Sequence, residues 1–211
     1  HALDLAESII KSSKNPAAHP REMVYGKITD GEKTIDEALV CYMKSPRSYT
    51  GEDVVEIQTH GGRAAAAVTL DLLIRNGART ASPGEFTRRA FLNGKIDLAQ
   101  AEAVEQITSA ESLAALQCAE RMLDGTFSRK INGFIDAITA ARTALEMELD
   151  FSDQGDENRR RNDIPASIQS VLRDIDAMIS TYRRGQYIRN GFRTVISGKV
   201  NVGKSSLFNA L

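Results

Sequence analysis

The chain has 211 residues, no Trp, two Cys and only 6% aromatic residues. So few aromatic side chains argue against a base-stacking surface of the kind that RNA-recognition folds use. Cys41 and Cys118 lie far apart and far from any histidine pair, so neither a zinc site nor a disulfide framework fits. We therefore expect a reducing, cytoplasmic setting and two buried thiols.

The chain also lacks an excess of charge of either sign. Its 27 Lys and Arg residues face 28 Asp and Glu residues, for a formal net charge of −1. This balance excludes the global basic excess of a typical nucleic-acid-binding module but leaves room for a local basic patch. No apolar run reaches the roughly 18 residues of a membrane span and no signal peptide opens the chain, so we expect no membrane association.

Both ends of the sequence fall inside predicted elements. The chain starts with apolar residues at helical spacing and without an initiator Met. It stops at Leu211, five residues past the Ser205-Ser206 pair. We therefore expect it to be a piece of a longer protein.

The first region has mixed helix and strand patterns. Alternating runs at Met23–Ile28 and Ile35–Met43 flank Asp30-Gly31, a combination that predicts a β-hairpin. A short apolar helix before the hairpin, a strand at 54–57 and an Ala-rich helix at 63–76 complete the pattern. The helix ends before Gly77, where a C-terminal glycine belongs. These elements predict an α+β module over residues 1–94.

The next region, 95–191, has no strand signal. Three apolar stripes have the spacing of one helical face and predict a helical bundle; they run through residues 98–123, 131–149 and 164–182. The charged stretch 150–163 interrupts them, and we expect a solvated connection there. The alternative is an anion or RNA contact made by Arg159, Arg160 and Arg161.

The last region, 192–211, carries a phosphate-loop motif. Residues 192–197 predict a buried strand, and residues 205–211 predict the start of a helix. Between them, Gly198 to Ser205 match G-x-x-x-x-G-K-[ST]. In this motif the glycines turn backbone N–H groups around a phosphate, the lysine (Lys204) reaches the terminal phosphates and the serine hydroxyl (Ser205) ligates Mg²⁺. The motif does not select the base, so an ATP-using kinase stays possible, and the fragment alone should not hydrolyse a nucleotide.

Two longer blocks precede this loop. Tyr-Thr-Gly-Glu-Asp-Val-Val-Glu-Ile-Gln-Thr-His-Gly-Gly spans residues 49–62, and Pro-Gly-Glu-Phe-Thr-Arg-Arg-Ala-Phe-Leu-Asn-Gly-Lys-Ile-Asp spans 83–97. In this order, and with the Asn-Val-Gly-Lys-Ser-Ser loop, the chain resembles the MnmE (TrmE) family of tRNA-modifying GTPases over nearly its whole length.

The resemblance implies a fold and an activity. The expected fold is an α+β folate-binding and dimerisation domain, lacking its first strand, plus an α-helical domain and the start of a P-loop α/β GTPase domain. The expected enzyme hydrolyses GTP. As a homodimer joined to the flavoprotein MnmG (GidA) in a heterotetramer, it adds a carboxymethylaminomethyl group to carbon 5 of the tRNA wobble uridine. The one-carbon unit would come from 5-formyl- or 5,10-methylene-tetrahydrofolate.

The resemblance also assigns residues. Glu56 and Lys95 match folate-pocket positions, Ser205 matches the Mg²⁺ ligand, and Asn201 matches a position that helps to coordinate K⁺. The GTP-binding positions are Asn201, Val202, Gly203, Lys204, Ser205 and Ser206. No catalytic residue is assigned. Val200 stands where the family commonly has Pro, and the family's folate-contacting Arg and its C-terminal Cys motif are missing from the sequence.

Two further interpretations stay open. The chain could belong to a non-catalytic folate- or RNA-binding scaffold whose nucleotide domain only switches conformation. His60, beside Gly61-Gly62, could act as a catalytic base, but a histidine at a strand-to-helix turn is more often structural.

Overall fold

The computed structural model describes residues 2–150, 157–191 and 194–210. The chain divides into two compact units, His1–Val104 and Glu105–Leu211.

The first unit is built on a four-stranded antiparallel sheet in the order β1-β2-β3-β4. The strands are β1 Ile10–Ser12, β2 Met23–Asp30, β3 Lys33–Met43 and β4 Val54–Gln58. Gly31 adopts a φ of +62° between β2 and β3, a left-handed conformation that glycine adopts without steric cost. The predicted hairpin and the strand at 54–57 are therefore confirmed.

Within the first unit, the described helices cover one face of this sheet. The helices α1 Ala2–Ile9 and α2 Arg63–Arg75 bury a core that includes Ile9, Ile28 and Leu72. Because strand side chains alternate between faces, the opposite face carries Met23, Tyr25 and Leu39, which are 46%, 43% and 43% exposed. This face therefore carries an exposed apolar cluster, Met23, Tyr25 and Leu39, beside polar side chains such as Glu37 and Gln58.

Two glycines end helices in this unit. Gly77 follows the Asn76 cap of α2 with a φ of +102°, as predicted. The next helix, α3 Glu85–Leu92, ends at Gly94 with a φ of +66°. There the Gly94 N–H donates to the Phe91 carbonyl and the Lys95 N–H donates to the Ala90 carbonyl, the two bonds of a Schellman motif. The helix α4 Leu98–Ser109 follows.

The second unit is helical, as predicted. After α4 come α5 Leu113–Leu123, α6 Thr126–Asp150, α7 Glu157–Ser180, α8 Tyr182–Asn190 and the short α9 Lys204–Phe208. Ser112 caps α5, since its Oγ accepts a hydrogen bond from the Ala115 N–H at 3.1 Å. None of the helices in the described residues has the length and apolarity that crossing a membrane requires.

Part of the predicted connection at 150–163 is wrong. Residues 151–156 lie outside the described residues, but the backbone of 157–163 is the first part of α7. Glu and Arg are strong helix formers, so a charged segment without an apolar stripe can still extend a helix. The possible anion or RNA contact by Arg159–Arg161 concerns side chains that lie outside the described part of the chain.

Two other expectations differ from the structure. Residues 192 and 193 lie outside the described range, and 194–197 form no strand; Val195 there is 86% exposed. A strand needs a neighbour for its backbone hydrogen bonds, and no described segment pairs with 194–197. Cys41 is buried as predicted, whereas Cys118 is exposed because it lies on the uncovered side of α5.

We expect Gly26→Ala to destabilise the first unit. A Cβ at this position would lie 2.7 Å from Ile10 Cγ2, and Ile10 is buried in the core. Overpacking of this kind typically costs about 1–3 kcal/mol. Chemical denaturation measures the loss, and Gly61→Ala is the control because nothing lies within 4 Å of its added Cβ. Equal free energies of unfolding for Gly26→Ala and the unmodified chain would contradict the expectation.

Candidate functional site

The loop at residues 44–53, which joins β3 to β4, is fixed by its own side chains. The Ser45 N–H donates to Asp53 Oδ1 and the Ser45 Oγ donates to the Gly51 carbonyl, both at 2.8 Å. Thr50 is only 2% exposed. Polar side chains that are bonded in this way replace the hydrogen bonds that a loop otherwise makes to water. The 44–53 loop is therefore an ordered platform beside the sheet.

The same loop is attached to α3 and to the segment that follows it. Tyr49 Oη lies 3.0 Å from Thr87 Oγ1, and Asn93 Nδ2 donates to the Thr50 carbonyl at 2.8 Å. Lys95 Nζ donates to the Pro46 carbonyl at 3.1 Å. The two sequence blocks, 49–62 and 83–97, thus meet in one local structure.

Lys95 has little freedom at its backbone and at the base of its side chain. Its N–H closes the Schellman motif after α3, and its Cγ would lie 3.2 Å from a Cβ added to Gly51. Gly51 has a φ of +77°, so this position requires glycine both for its conformation and for the passage of the lysine stem. The Lys95 side chain is exposed and carries its charge along the 44–53 loop.

Glu56 lies on β4, the strand into which this loop leads. It is exposed and faces Cys41 on β3. Burial, and next the Glu56 charge, raises the pKa of the Cys41 thiol, so this thiol stays protonated. No hydrogen bond or ion pair joins Glu56 to Lys95 in the described part of the chain; both border the 44–53 loop from different elements.

The sequence did not predict a cluster of charged side chains, Arg79, Glu85, Arg89 and Glu52, next to the 44–53 loop. Arg79 Nη1 donates to Glu85 Oε2 at 2.8 Å. Arg89 bridges Glu85 and Glu52 at 2.9 and 3.0 Å. The bonds from Arg79, and then one from the Ser82 N–H, hold the pKa of Glu85 at about 2, below its usual 4.5. The i, i+4 spacing of Glu85 and Arg89 was the only sequence signal for this cluster.

His60 pairs with a carboxylate on β3. Its Nδ1 lies 2.8 Å from Asp36 Oδ1, and its backbone N–H donates to Asp36 Oδ2 at 3.0 Å. The side-chain hydrogen bond raises the pKa of His60 and lowers the pKa of Asp36. This double contact fixes the turn from β4 to α2, which supports the structural interpretation of His60.

The phosphate loop in the second unit has left-handed residues at two positions. Asn201 has a φ of +62° and Gly203 has a φ of +88°. Asn is one of the few residues that tolerate this region. Lys204 Nζ donates to the carbonyls of Gly198 and Lys199 at 3.1 and 2.6 Å. The lysine therefore spans the loop and closes it around its own ammonium group.

The residues of this loop fit a phosphate ligand. A Cβ added to Gly198 would lie 3.3 Å from Val202 Cγ2, so a larger residue at position 198 would crowd Val202 on the other side of the phosphate loop. Ser205 and Ser206 are exposed on α9 directly after Lys204, where a hydroxyl can ligate a cation beside a bound phosphate. In the described residues, no group of three or more His, Cys, Asp or Glu side chains could hold a metal ion.

Glu85→Gln should destabilise the first unit at neutral pH more than at acid pH. Because the pKa of Glu85 is lowered in the folded state, its charge stabilises the fold above the unfolded pKa of about 4.5, and this contribution is lost as the pH falls towards about 2. Denaturation at pH 7, 4 and 2.5 should show the gap between the chain and the variant closing. Glu32→Gln, at an exposed turn position, is the control, and a gap independent of pH would refute the expectation.

Two family models together match most of the chain. The model of the GTP-binding protein TrmE N-terminus matches residues 1–95, and the model of the MnmE helical domain matches residues 98–206.

Curated relatives show the same likeness. The chain is 41% identical over 213 residues to the tRNA modification GTPase MnmE of Clostridioides difficile, covering 100% of the chain and 46% of that protein. It is 46% identical over 189 residues to the protein of that name from Carboxydothermus hydrogenoformans, covering 89% and 41%. For the Cytophaga hutchinsonii protein the identity is 44% over 211 residues, covering 100% and 46%. The chain thus spans about half the length of these relatives, and, since the helical-domain model alone matches more than half of its residues, it belongs to the MnmE (TrmE) family.

Proposed function

We propose that this chain is part of a GTP-hydrolysing enzyme that modifies the wobble uridine of tRNA. With the flavoprotein MnmG (GidA), the enzyme adds a carboxymethylaminomethyl group to carbon 5 of that base. The observation that carries the proposal is the phosphate loop whose Lys204 spans Gly198 and Lys199, in a chain whose relatives bear the name tRNA modification GTPase. The names of these relatives favour GTP over ATP as the nucleotide.

The tRNA of a deletion strain tests this function. Complementation with the full-length protein should restore the modified wobble nucleoside, measured by mass spectrometry, and Lys204→Ala should not, because the phosphate clamp is removed. Lys199→Ala is a matched control, since the bond that Lys199 makes within the described loop is through its backbone carbonyl. A wobble base that is unchanged by the deletion would favour the non-catalytic scaffold instead.

The proposed nucleotide site consists of Asn201, Val202, Gly203, Lys204, Ser205 and Ser206. Ser205 would ligate Mg²⁺ beside the phosphates, and the Asn201 side chain would help to hold K⁺. Asn201 precedes α9 and has a left-handed backbone. It therefore belongs to the loop that would surround the phosphates and not to the helix, which supports this role. A K⁺ ion there supplies positive charge beside the phosphates, as an arginine finger does in other GTPases.

Hydrolysis by the full-length protein should depend on K⁺. We expect GTP hydrolysis at least about tenfold faster in KCl than in NaCl, and loss of this difference in Asn201→Lys, since a cation within the loop is the charge that the reaction needs. Val200→Ala, at an exposed neighbouring position, is the control. Equal rates in the two salts would remove K⁺ from the proposal while leaving the tRNA test intact.

For the first unit we propose a tetrahydrofolate site beside the 44–53 loop. The exposed Glu56 carboxylate on β4 suits the N–H edge of a pterin, and the Lys95 ammonium suits the anionic tail of a folate. The fixed backbone of Lys95 and the ordered loop support this assignment, because a preorganised site loses less entropy on binding. The ligand would be 5-formyl- or 5,10-methylene-tetrahydrofolate.

Calorimetry with 5-formyl-tetrahydrofolate tests the site on the full-length protein. Glu56→Ala and Lys95→Ala should each weaken binding about tenfold or more, since each removes one charge-assisted hydrogen bond of about 1.5–3 kcal/mol. Gln58→Ala is a matched control because Gln58 is exposed two residues along the same strand. Binding that is unchanged in both variants would contradict the assignment.

We also propose a domain organisation and an assembly for the whole protein. Residues 1–94 would form the folate-binding and dimerisation domain, 95–191 the helical domain and 192–211 the start of the GTPase domain. The exposed apolar cluster Met23, Tyr25 and Leu39 supports a homodimer through the first of these domains, because exposed apolar patches mark interaction surfaces. The complete assembly would be a cytoplasmic heterotetramer with the flavoprotein.

A further inference from the structure

Gly51 lies against two side chains that come from the end of α3. A Cβ added to Gly51 would lie 3.2 Å from Lys95 Cγ and 3.5 Å from Asn93 Cβ. Asn93 caps the C-terminus of α3, and its own N–H donates to the Arg89 carbonyl at 2.9 Å. The end of this helix therefore meets the backbone of the 44–53 loop through two side chains, Asn93 and Lys95.

The side chain of Asn93 binds the peptide that joins Thr50 to Gly51. Its Nδ2 donates to the Thr50 carbonyl at 2.8 Å, and Thr50 is only 2% exposed. The next carbonyl along the chain, that of Gly51, accepts from Ser45 Oγ at 2.8 Å. Because a largely buried carbonyl that loses its donor is costly, these two bonds fix the position and the orientation of Gly51.

Gly51 in turn confines the side chain of Lys95. Lysine carries its ammonium on a flexible four-carbon stem, and an unrestricted stem of this kind occupies many rotamers. Lys95 Cγ and Cδ pass so close to Gly51 that a Cβ there would lie 3.2 and 3.3 Å from them. Lys95 Nζ also donates to the Pro46 carbonyl at 3.1 Å. A shift of Gly51 would therefore open space for other rotamers of the lysine.

The Lys95 ammonium can bind a ligand from this position. An ammonium has three N–H donors, and the Pro46 carbonyl takes one of them. The anionic tail of a folate can accept from the other donors while the bond to Pro46 persists. A lysine whose rotamers are already restricted loses less entropy when a carboxylate binds, so whatever restricts the lysine stem strengthens binding of the tail.

We propose that Asn93 is a positioning residue of the tetrahydrofolate site and that it acts through Lys95. Its bond to the Thr50 carbonyl holds Gly51 in place, and Gly51 confines the lysine stem so that the ammonium meets the anionic tail of the folate. This inference rests on the proposed folate site. Because Asn93 acts through the lysine, its removal should weaken binding only while Lys95 is present.

A double-mutant cycle tests the proposal, with calorimetry of 5-formyl-tetrahydrofolate binding to the full-length protein. Asn93→Ala should weaken binding about fivefold, as expected for one net hydrogen bond, but should change the affinity of Lys95→Ala by less than about twofold. A merely structural role would weaken binding equally in both backgrounds. If Asn93→Ala does not fold, Asn93→Ser gives the same comparison, because it keeps a small polar side chain at the end of α3 that is one atom shorter than the amide.

Asn76→Ala is the matched control. Asn76 caps another helix of the first unit, α2, and its Nδ2 also donates to a backbone carbonyl, that of Leu72, at 2.8 Å. This variant should lower the melting temperature without changing the affinity for the folate, because its bond does not touch the 44–53 loop.

Three results would each overturn the positioning role of Asn93. They are an unchanged affinity in Asn93→Ala, an equal loss of affinity with and without Lys95, and an equal loss in Asn76→Ala. Any of them would leave the folate site itself intact. No binding by the unmodified protein, or full affinity in Lys95→Ala, would instead remove the proposed Lys95 contact and the positioning role together, so the two failures are distinct.

Discussion

The attachment of the 44–53 loop to α3 is the constraint on which the first unit's candidate site depends. Asn93 binds the Thr50 carbonyl and Arg89 bridges Glu52 and Glu85. These bonds connect segments about forty residues apart in sequence. Without them, Lys95 would be a surface lysine after a helix. The attachment places Lys95 beside the ordered loop that leads into β4, the strand that carries Glu56.

The conformation of the phosphate loop, by contrast, depends on contacts within the loop itself and not on distant segments. Asn201, Gly203 and the bonds from Lys204 to Gly198 and Lys199 all lie within seven residues of one another. The loop therefore has a defined shape although the segment before it, 194–197, is not a strand. A turn can be specified by its own dihedral angles, whereas a strand is completed by its neighbours.

The same distinction explains what the sequence could predict. The β2–β3 hairpin, the Gly77 helix end and the helical second unit follow from local signals, namely turn residues and periodicity, and they are confirmed. The helical segment 157–163 was not predicted because it has no apolar stripe, and the helix propensity of its residues was the only local signal. The exposure of Cys118 and the Arg89–Glu52 ion pair depend on which surfaces meet in three dimensions. Of the candidate site, the residues could be named from the sequence, but the bonds that fix Lys95 and Lys204 could not.

The net charge of the chain predicts little about which ligands its surfaces can bind, for a physical reason. A charge acts over about 8–10 Å at physiological ionic strength, so a polyanion responds to the few groups within that distance and not to the sum over 211 residues. Arg79 and Arg89 are paired with Glu85 and Glu52, whereas Arg184 and Arg189 form no ion pair with any of the described residues. The pair between Arg89 and Glu52 fixes the 44–53 loop, so this arginine adds little to the field that a polyanion would meet. A net charge near zero therefore does not describe the local charge of any one surface of the chain.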